Sequence, residues 1–260
     1  MISITLYDKN DTALARALGS GEALLCADRV YTEGDYVEIT GPRHLLLQAD
    51  QALPWGEVFL PDGRMTWRVP FAEHRLAYPP GCFEAPRHIL SAREMTREQV
   101  LSVRCLSRNP ADLRGDTDFY PHCTANVETR NEACFCARNV VDGLTFNTFH
   151  GEWPYQSWGI GAREDAWCLL DLGRETEITQ MALVLRADFP HDAWWTGGHA
   201  VLSDGADIAF SLKKTGDRQI IPLAGHRVRW LRLERLTKSD DPSAFPALRQ
   251  WEVFGRDTEE

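Results

Sequence analysis

Residues 2 to 6 alternate apolar and polar, short strand-like runs follow at close intervals up to residue 69, and Gly, Pro or Asp-Gly breaks nearly every run. The alternating set Ile2, Ile4, Leu6 is followed by Ala23 to Cys26, Tyr36 to Thr40, His44 to Gln48, Val58 to Leu60 and Met65 to Val69. A period of two puts successive side chains on opposite faces, which suits a half-buried strand and not a helix. Many short strands divided by turn residues specify a sandwich or barrel. The pair flanking Pro61-Asp62-Gly63 reads as a hairpin, because Gly supplies the positive φ of a tight turn. Two segments break the pattern. Asp11 to Leu18, closed by Gly19, has helical spacing, and Met95 to Leu106 opens with a Thr96/Gln99 capping box. Residues 70 to 90, with Pro70, Pro79, Pro80, Gly81 and Pro86, have no clean period and are expected to wrap across a sheet.

From Val103 the pattern begins again. A strand is expected at Trp167 to Gly173, then one through Ile178, Met181, Leu183 and Leu185, then a hairpin over Val201 to Leu212 around Asp204-Gly205. In Val228 to Leu236 the apolar phase shifts between Trp230 and Leu231, which predicts a bulge or burial on both faces. Trp251, Val253 and Phe254 form a closing strand before Gly255. The expectation is an all-β chain of two tandem β-sandwich domains: residues 1–90, a linker with a short helix at 91–103, and a second domain at 104–256.

Composition narrows the partners. A formal net charge of -10 disfavours nucleic acid and anionic membranes, whose phosphates require a basic footprint. The one basic stripe, Arg227, Arg229, Arg232 and Arg235, reads as a solvated strand face. No stretch approaches the roughly 18 apolar residues of a membrane span. MISITLYDKN lacks the basic and apolar regions of a secretory signal. Seven cysteines, an odd number without metal-knuckle spacing, read as reduced thiols, so a cytoplasmic location is expected.

Two segments are too aromatic for ordinary loops and too interrupted for strands: Asn139 to Trp158, and Arg186 to Trp195. They place Trp153, Tyr155, Trp194 and Trp195 beside His150, Glu152, Arg186, Asp188, His191 and Asp192. A loop with flat rings and polar tips either folds into the core or presents a recognition surface. Sugars require this mixture, because their C–H faces stack on rings while their hydroxyls need planar donors and acceptors. A third loop, Lys238 to Phe245, brings Asp240 and Asp241 from a strand end toward the same place. Trp158, Trp167, Trp230 and Trp251 are expected in the core. Of the neighbours Trp194 and Trp195, one ring is expected inside and one outside.

The order of four motifs resembles a known family. Leu106 to Pro110, ARNVVDG (Ala137 to Gly143), WCLLDLG (Trp167 to Gly173) and LRQWEVFG (Leu248 to Gly255) are similar to the successive motifs of discoidin, or F5/8 type C, domains. The resemblance covers about residues 104–256. It implies that the second domain is a galactose-binding-like jelly roll with ligands held in loops at one end. It also implies a structural calcium in the loop after Asp142-Gly143. Asp142 would supply a carboxylate, Asn147 or Thr148 a further oxygen, and Gln250 would stand where the family carries an acid.

Three readings follow. The first is a carbohydrate-binding protein that recognises a sugar or oligosaccharide through those loops. The second is a carbohydrate-active enzyme, hydrolase or lyase, with its acid and base drawn from His150, Asp188, His191 and Asp192. The third is an assembly protein whose aromatic loops pack against the first domain or another subunit of a homo-oligomer. No Gly-x-Ser-x-Gly elbow, glycine-rich phosphate loop or His-Glu-x-x-His motif occurs in the chain.

Overall fold

The computed structural model describes residues 1–146, 150–187 and 193–258. The N-terminal part contains eight strands: β1 (Ile2–Tyr7), β2 (Ala13–Gly19), β3 (Glu22–Ala27), β4 (Tyr36–Thr40), β5 (His44–Gln48), β6 (Gly56–Phe59), β7 (Arg64–Arg68) and β8 (His88–Glu94). They form two four-stranded antiparallel sheets, ordered β2-β1-β4-β7 and β3-β8-β5-β6. The alternation seen in the sequence is the reason they face one another. Ile2, Ile4, Val37, Ile39, Met65 and Trp67 point inward from one sheet, and Leu25, Leu45, Leu47, Val58 and Leu90 from the other. Each aliphatic side chain so buried contributes roughly 1.5–3 kcal/mol.

Two local expectations are corrected. Residues Ala13–Gly19 form edge strand β2, not a helix, and pair with β1 from Ile2↔Gly19 to Leu6↔Ala15. The small Ala15 and Ala17 face the core while Leu14 and Leu18 are exposed. Outward leucines four residues apart imitate helical spacing, and edge pairing decides otherwise. The turn at Pro61-Asp62-Gly63 is not a hairpin either. β6 pairs with β5 and β7 with β4, so this turn carries the chain from one sheet to the other. Gly63 has φ +64, and its carbonyl accepts from the Gly41 amide at 2.9 Å, locking together the two crossover turns. The capping box at Thr96 and Gln99 forms as expected and starts α1 (Arg97–Leu101), but the helix stops short of the expected Leu106 because Arg104–Cys105 is drawn into a strand.

The C-terminal part contains β9 (Arg104–Cys105), β10 (His122–Ala125), β11 (Trp158–Gly159), β12 (Cys168–Leu185), β13 (Trp195–Leu202), β14 (Asp207–Ser211), β15 (Gln219–Lys238) and β16 (Ala247–Asp257). All pairings are antiparallel in an eight-stranded network, β11-β16-β12-β15-β13-β14, with β10 on β12 and β9 on β16. β12 and β15 are 18 and 20 residues long, and their pairing is interrupted between Asp171 and Thr176. Gly173 sits in this interruption at φ +71 against the Tyr120 ring, where a Cβ would lie 2.4 Å from the ring. The interruption lets both strands bend around one core containing Trp158, Leu170, Met181, Leu183, Trp195, Leu231 and Trp251. The Asp204-Gly205 hairpin joins β13 to β14, and Arg227, Arg229 and Arg235 are exposed. The described residues are all-β apart from α1 and short 3-10 segments.

Long-range bonds tie the two halves together. Phe59 and Tyr120 exchange both backbone hydrogen bonds, at 2.7 and 3.0 Å, and the Trp67 indole donates to the Ala111 carbonyl at 2.9 Å. The buried Arg138 guanidinium donates to the carbonyls of Ala77, Pro110 and Asp112 and lies over the Tyr78 ring. Ala111, Leu113, Phe119, Ala133 and Cys136 belong to the N-terminal core although they follow α1. All seven cysteines are free.

Candidate functional site

Four chain segments meet at one end of the C-terminal sandwich. The loop before β11 brings His150 and Tyr155, the end of β12 brings Arg186, the lead into β16 brings Phe245 and Pro246, and residues 129–135 bring Thr129, Arg130 and Phe135. Strand pairing fixes the meeting point. Gly159 of β11 pairs with Ala247 of β16, and the Arg186 amide donates to the Ala247 carbonyl at 2.9 Å. Together these residues line an open hollow of about 440 Å³.

The hollow is chemically mixed. Phe245 is 54% exposed and offers a bare ring face, and His150 is exposed beside it on the lining. Arg186 is 3% exposed, and its guanidinium donates to the Tyr155 carbonyl, which fixes both groups. Burial, with Cys134 nearby, pushes the Tyr155 phenol up and keeps it protonated as a donor. The Arg130 guanidinium lies 4.9 Å from the Phe135 ring centre and pairs with Glu132 at 2.7 and 2.8 Å. The arrangement offers cationic and neutral donors, carbonyl acceptors and an aromatic face in one concavity.

Of the residues singled out from the sequence, His150, Tyr155 and Arg186 line this hollow. Glu152 is exposed and Trp153 half-buried in the same loop, but neither is on its lining. Trp194 is half-buried against the core. Trp195, at 1% exposure, lies within the core 6.1 Å from the Trp158 ring and presents no stacking face. Asp240 is exposed, and Asp241 pairs with Lys214 at 3.6 Å; the third loop reaches the hollow through Phe245 instead. Asp188, His191, Asp192 and Asn147 lie outside the described residues. Thr129, Arg130 and Phe135 had no sequence signal, whereas Phe245, a lone ring between Pro242 and Pro246, had the same loop-aromatic signal as Trp153.

Among the described residues, the donor set around Asp142 does not fit a calcium ion. Arg249, fully buried on β16, approaches its carboxylate at 3.2 Å and donates also to the carbonyls of Asn139 and Phe146, each at 3.4 Å. A guanidinium thus satisfies the oxygens that a cation would use, and a second cation among them would meet charge repulsion. Burial pushes the Asp142 carboxyl up, while Arg249 and Arg138 pull it down. Gln250 is buried on the same strand, and its Oε1 has no hydrogen-bond partner among the described residues.

One further group among the described residues has metal-ligand spacing: His44, Glu57 and Asp257, mutually within 4.8 Å. Its charge is already balanced. Arg104 holds Glu57 at 2.6 Å, Arg174 holds it at 2.7 Å, and both arginines pair with Asp257. Despite burial, Arg174 and Arg104 hold the Asp257 carboxyl below the usual range, and burial with Arg174 lowers the His44 imidazole. Two carboxylates answered by two guanidiniums clamp β6 to β9, β12 and β16, and a dication there would have to displace a cation.

No family model matches the chain, and no curated protein matches its sequence. Solved structures do resemble it. A variant of chitosan-binding module 1 from a chitosanase/glucanase of Paenibacillus sp. IK-5 is 15% identical, covering 59% of this chain and 100% of the module, with a TM-score of 0.41. The lectin domain of lectinolysin complexed with Lewis B antigen is 16% identical, covering 60% of this chain and 98% of that one, with a TM-score of 0.43. A fucose-binding module of Streptococcus pneumoniae is 13% identical, covering 62% of this chain and 100% of that one, with a TM-score of 0.42.

Proposed function

We propose that the protein binds carbohydrate in the hollow lined by His150, Tyr155, Arg186 and Phe245. The observation that carries this reading is the exposed Phe245 face beside the buried, carbonyl-anchored Arg186 in one open concavity. A sugar ring can lay its C–H face on Phe245 while adjacent hydroxyls accept from Arg186 and exchange hydrogen bonds with His150. Anchoring Arg186 before binding lowers the ordering cost of recognition. Asp188, His191 and Asp192 belong to this proposal on sequence grounds alone, as partners for further hydroxyls. The unit that carries the site is proposed to begin near residue 104, with the sandwich of β1 to β8 clamped to it.

The test is calorimetric titration with galactose, fucose and glucosamine, backed by a glycan array. Phe245→Ala and His150→Ala are each expected to weaken binding of the preferred sugar at least about tenfold, with unchanged unfolding. Absence of binding across the array, or identical affinities in wild type and both variants, rejects the reading.

A further inference from the structure

The hollow is not isolated. Residues 128–131 form a ridge whose Thr129 and Arg130 face the hollow, while Glu128 and Asn131 line a groove of about 620 Å³ on the other side. That groove shares Glu73, His74, Arg114 and Gly115 with a cleft of about 750 Å³ running toward β4 and β7 of the N-terminal sandwich. Three of the chain's non-glycine residues with left-handed backbone sit along this route: Ala72 (φ 49), Arg130 (φ 52) and Asn131 (φ 56). Such conformations persist where surrounding contacts hold them, often at binding surfaces.

The route is braced. Arg114 pairs with Glu128 at 2.7 Å, donates to the Asn131 side chain, and reaches Glu73 at 3.9 Å. Glu73 in turn accepts from the Ala133 amide at 2.5 Å. These bonds link the segment after β7 to the ridge. The cleft beyond carries charges of both signs that make no ion pair among the described residues: Glu33, Arg68, His74 and Asp116. Tyr36 and Phe71 add half-buried rings. A polyanion would need a lining of one sign. Hydroxyl groups, which donate and accept together, suit a lining that supplies both.

Resting on the carbohydrate reading of the hollow, we propose that the ridge, groove and cleft form a continuous track. The track takes the remainder of an uncharged oligosaccharide whose terminal unit occupies the hollow.

The experiment titrates the full chain with galactose, fucose and glucosamine, and with galacto- and chito-oligosaccharides of two to six units. It compares wild type with an Arg68→Ala/His74→Ala double variant. Both side chains are exposed and make no ion pair among the described residues, so folding should be unaffected. Affinity is expected to rise about tenfold from single unit to longest chain, the order of one or two added hydrogen bonds. The double variant should remove that rise and leave single-sugar affinity unchanged. Single sugars bound as tightly as long chains, or a rise that survives the double variant, would overturn the track and leave the hollow standing. A sulfated chain binding more tightly than a neutral one of equal length overturns the ligand class. Failure of every sugar to bind overturns the hollow and the track together.

Discussion

Two Pro- and Gly-broken aromatic segments of this chain end in opposite surroundings. Residues 70–87 fold inward: Tyr78 and Phe83 are buried, Phe83 packs 5.4 Å from the Trp67 ring, and the Tyr78 hydroxyl donates to the Asp112 carbonyl at 2.7 Å. Residues 139–158 end inward at Trp158, but Phe146 is 53% exposed and His150 is exposed. The difference lies in what each segment meets. The first finds an unfilled sandwich core and the buried Arg138 guanidinium over its Tyr78 ring. The second is held by Arg249 at its base, through Asp142 and the Phe146 carbonyl, and the side chains of Phe146 and His150 are left at the surface. Composition makes a loop aromatic, and its anchors decide whether the rings pack or present.

The comparison can be broken at several points. Phe83→Ala should cost about 3–5 kcal/mol of unfolding free energy, because it opens a cavity in the N-terminal core. Equilibrium denaturation should show that loss while sugar affinity at the hollow is unchanged. A fall in affinity of the same size would mean that the packed segment also shapes the site. Arg249→Ala is expected to cost about 3 kcal/mol by leaving the Asp142 carboxylate buried without its counter-charge. Chelator added to the wild type should leave its melting temperature unchanged; a drop reversed by calcium would place a metal where Arg249 is read as the cation.

The next effect is on binding alone. Phe245→Ala should lose about 1.4 kcal/mol of sugar binding, a tenfold change, with stability altered by less than about 0.5 kcal/mol. A large stability loss instead would make the ring a packing group. The smallest effect is a pH dependence where the packed segment docks. His122 is mostly buried, which disfavours its charge, but Asp112 at 2.7 Å outweighs this and raises its pKa, helped by Asp171 and Asp116. A raised folded-state pKa means stabilisation is fully present below the unfolded histidine value of about 6.5 and is lost as pH rises through the folded value. Stability against pH should show that decline in the wild type and not in His122→Gln. Parallel curves for the two proteins would remove His122 as the cause.

Local signals were legible. β4 and β5 occupy Tyr36–Thr40 and His44–Gln48 as their short strand-like runs predict, the hairpin turns at Asp204-Gly205, and α1 starts at its capping box. Each depends on residues within a few positions of one another, where periodicity and turn chemistry act directly. β2 differs from its expected helix because the same local spacing is compatible with helix or edge strand until β1 supplies hydrogen bonds. The crossover at Pro61-Asp62-Gly63 differs from the expected hairpin because a turn sequence specifies a bend and not the sheet that receives the next strand.

By itself the sequence determined the all-β class, the run of short strands and the presence of aromatic loops rich in polar tips. Only the tertiary structure decided that Arg249 meets Asp142, that Arg104 and Arg174 share Glu57 and Asp257, and that Phe245 joins His150 and Arg186. Those contacts join residues distant in the chain. Their geometry comes from how the long strands β12, β15 and β16 pair and bend, and a pattern of period two does not encode it.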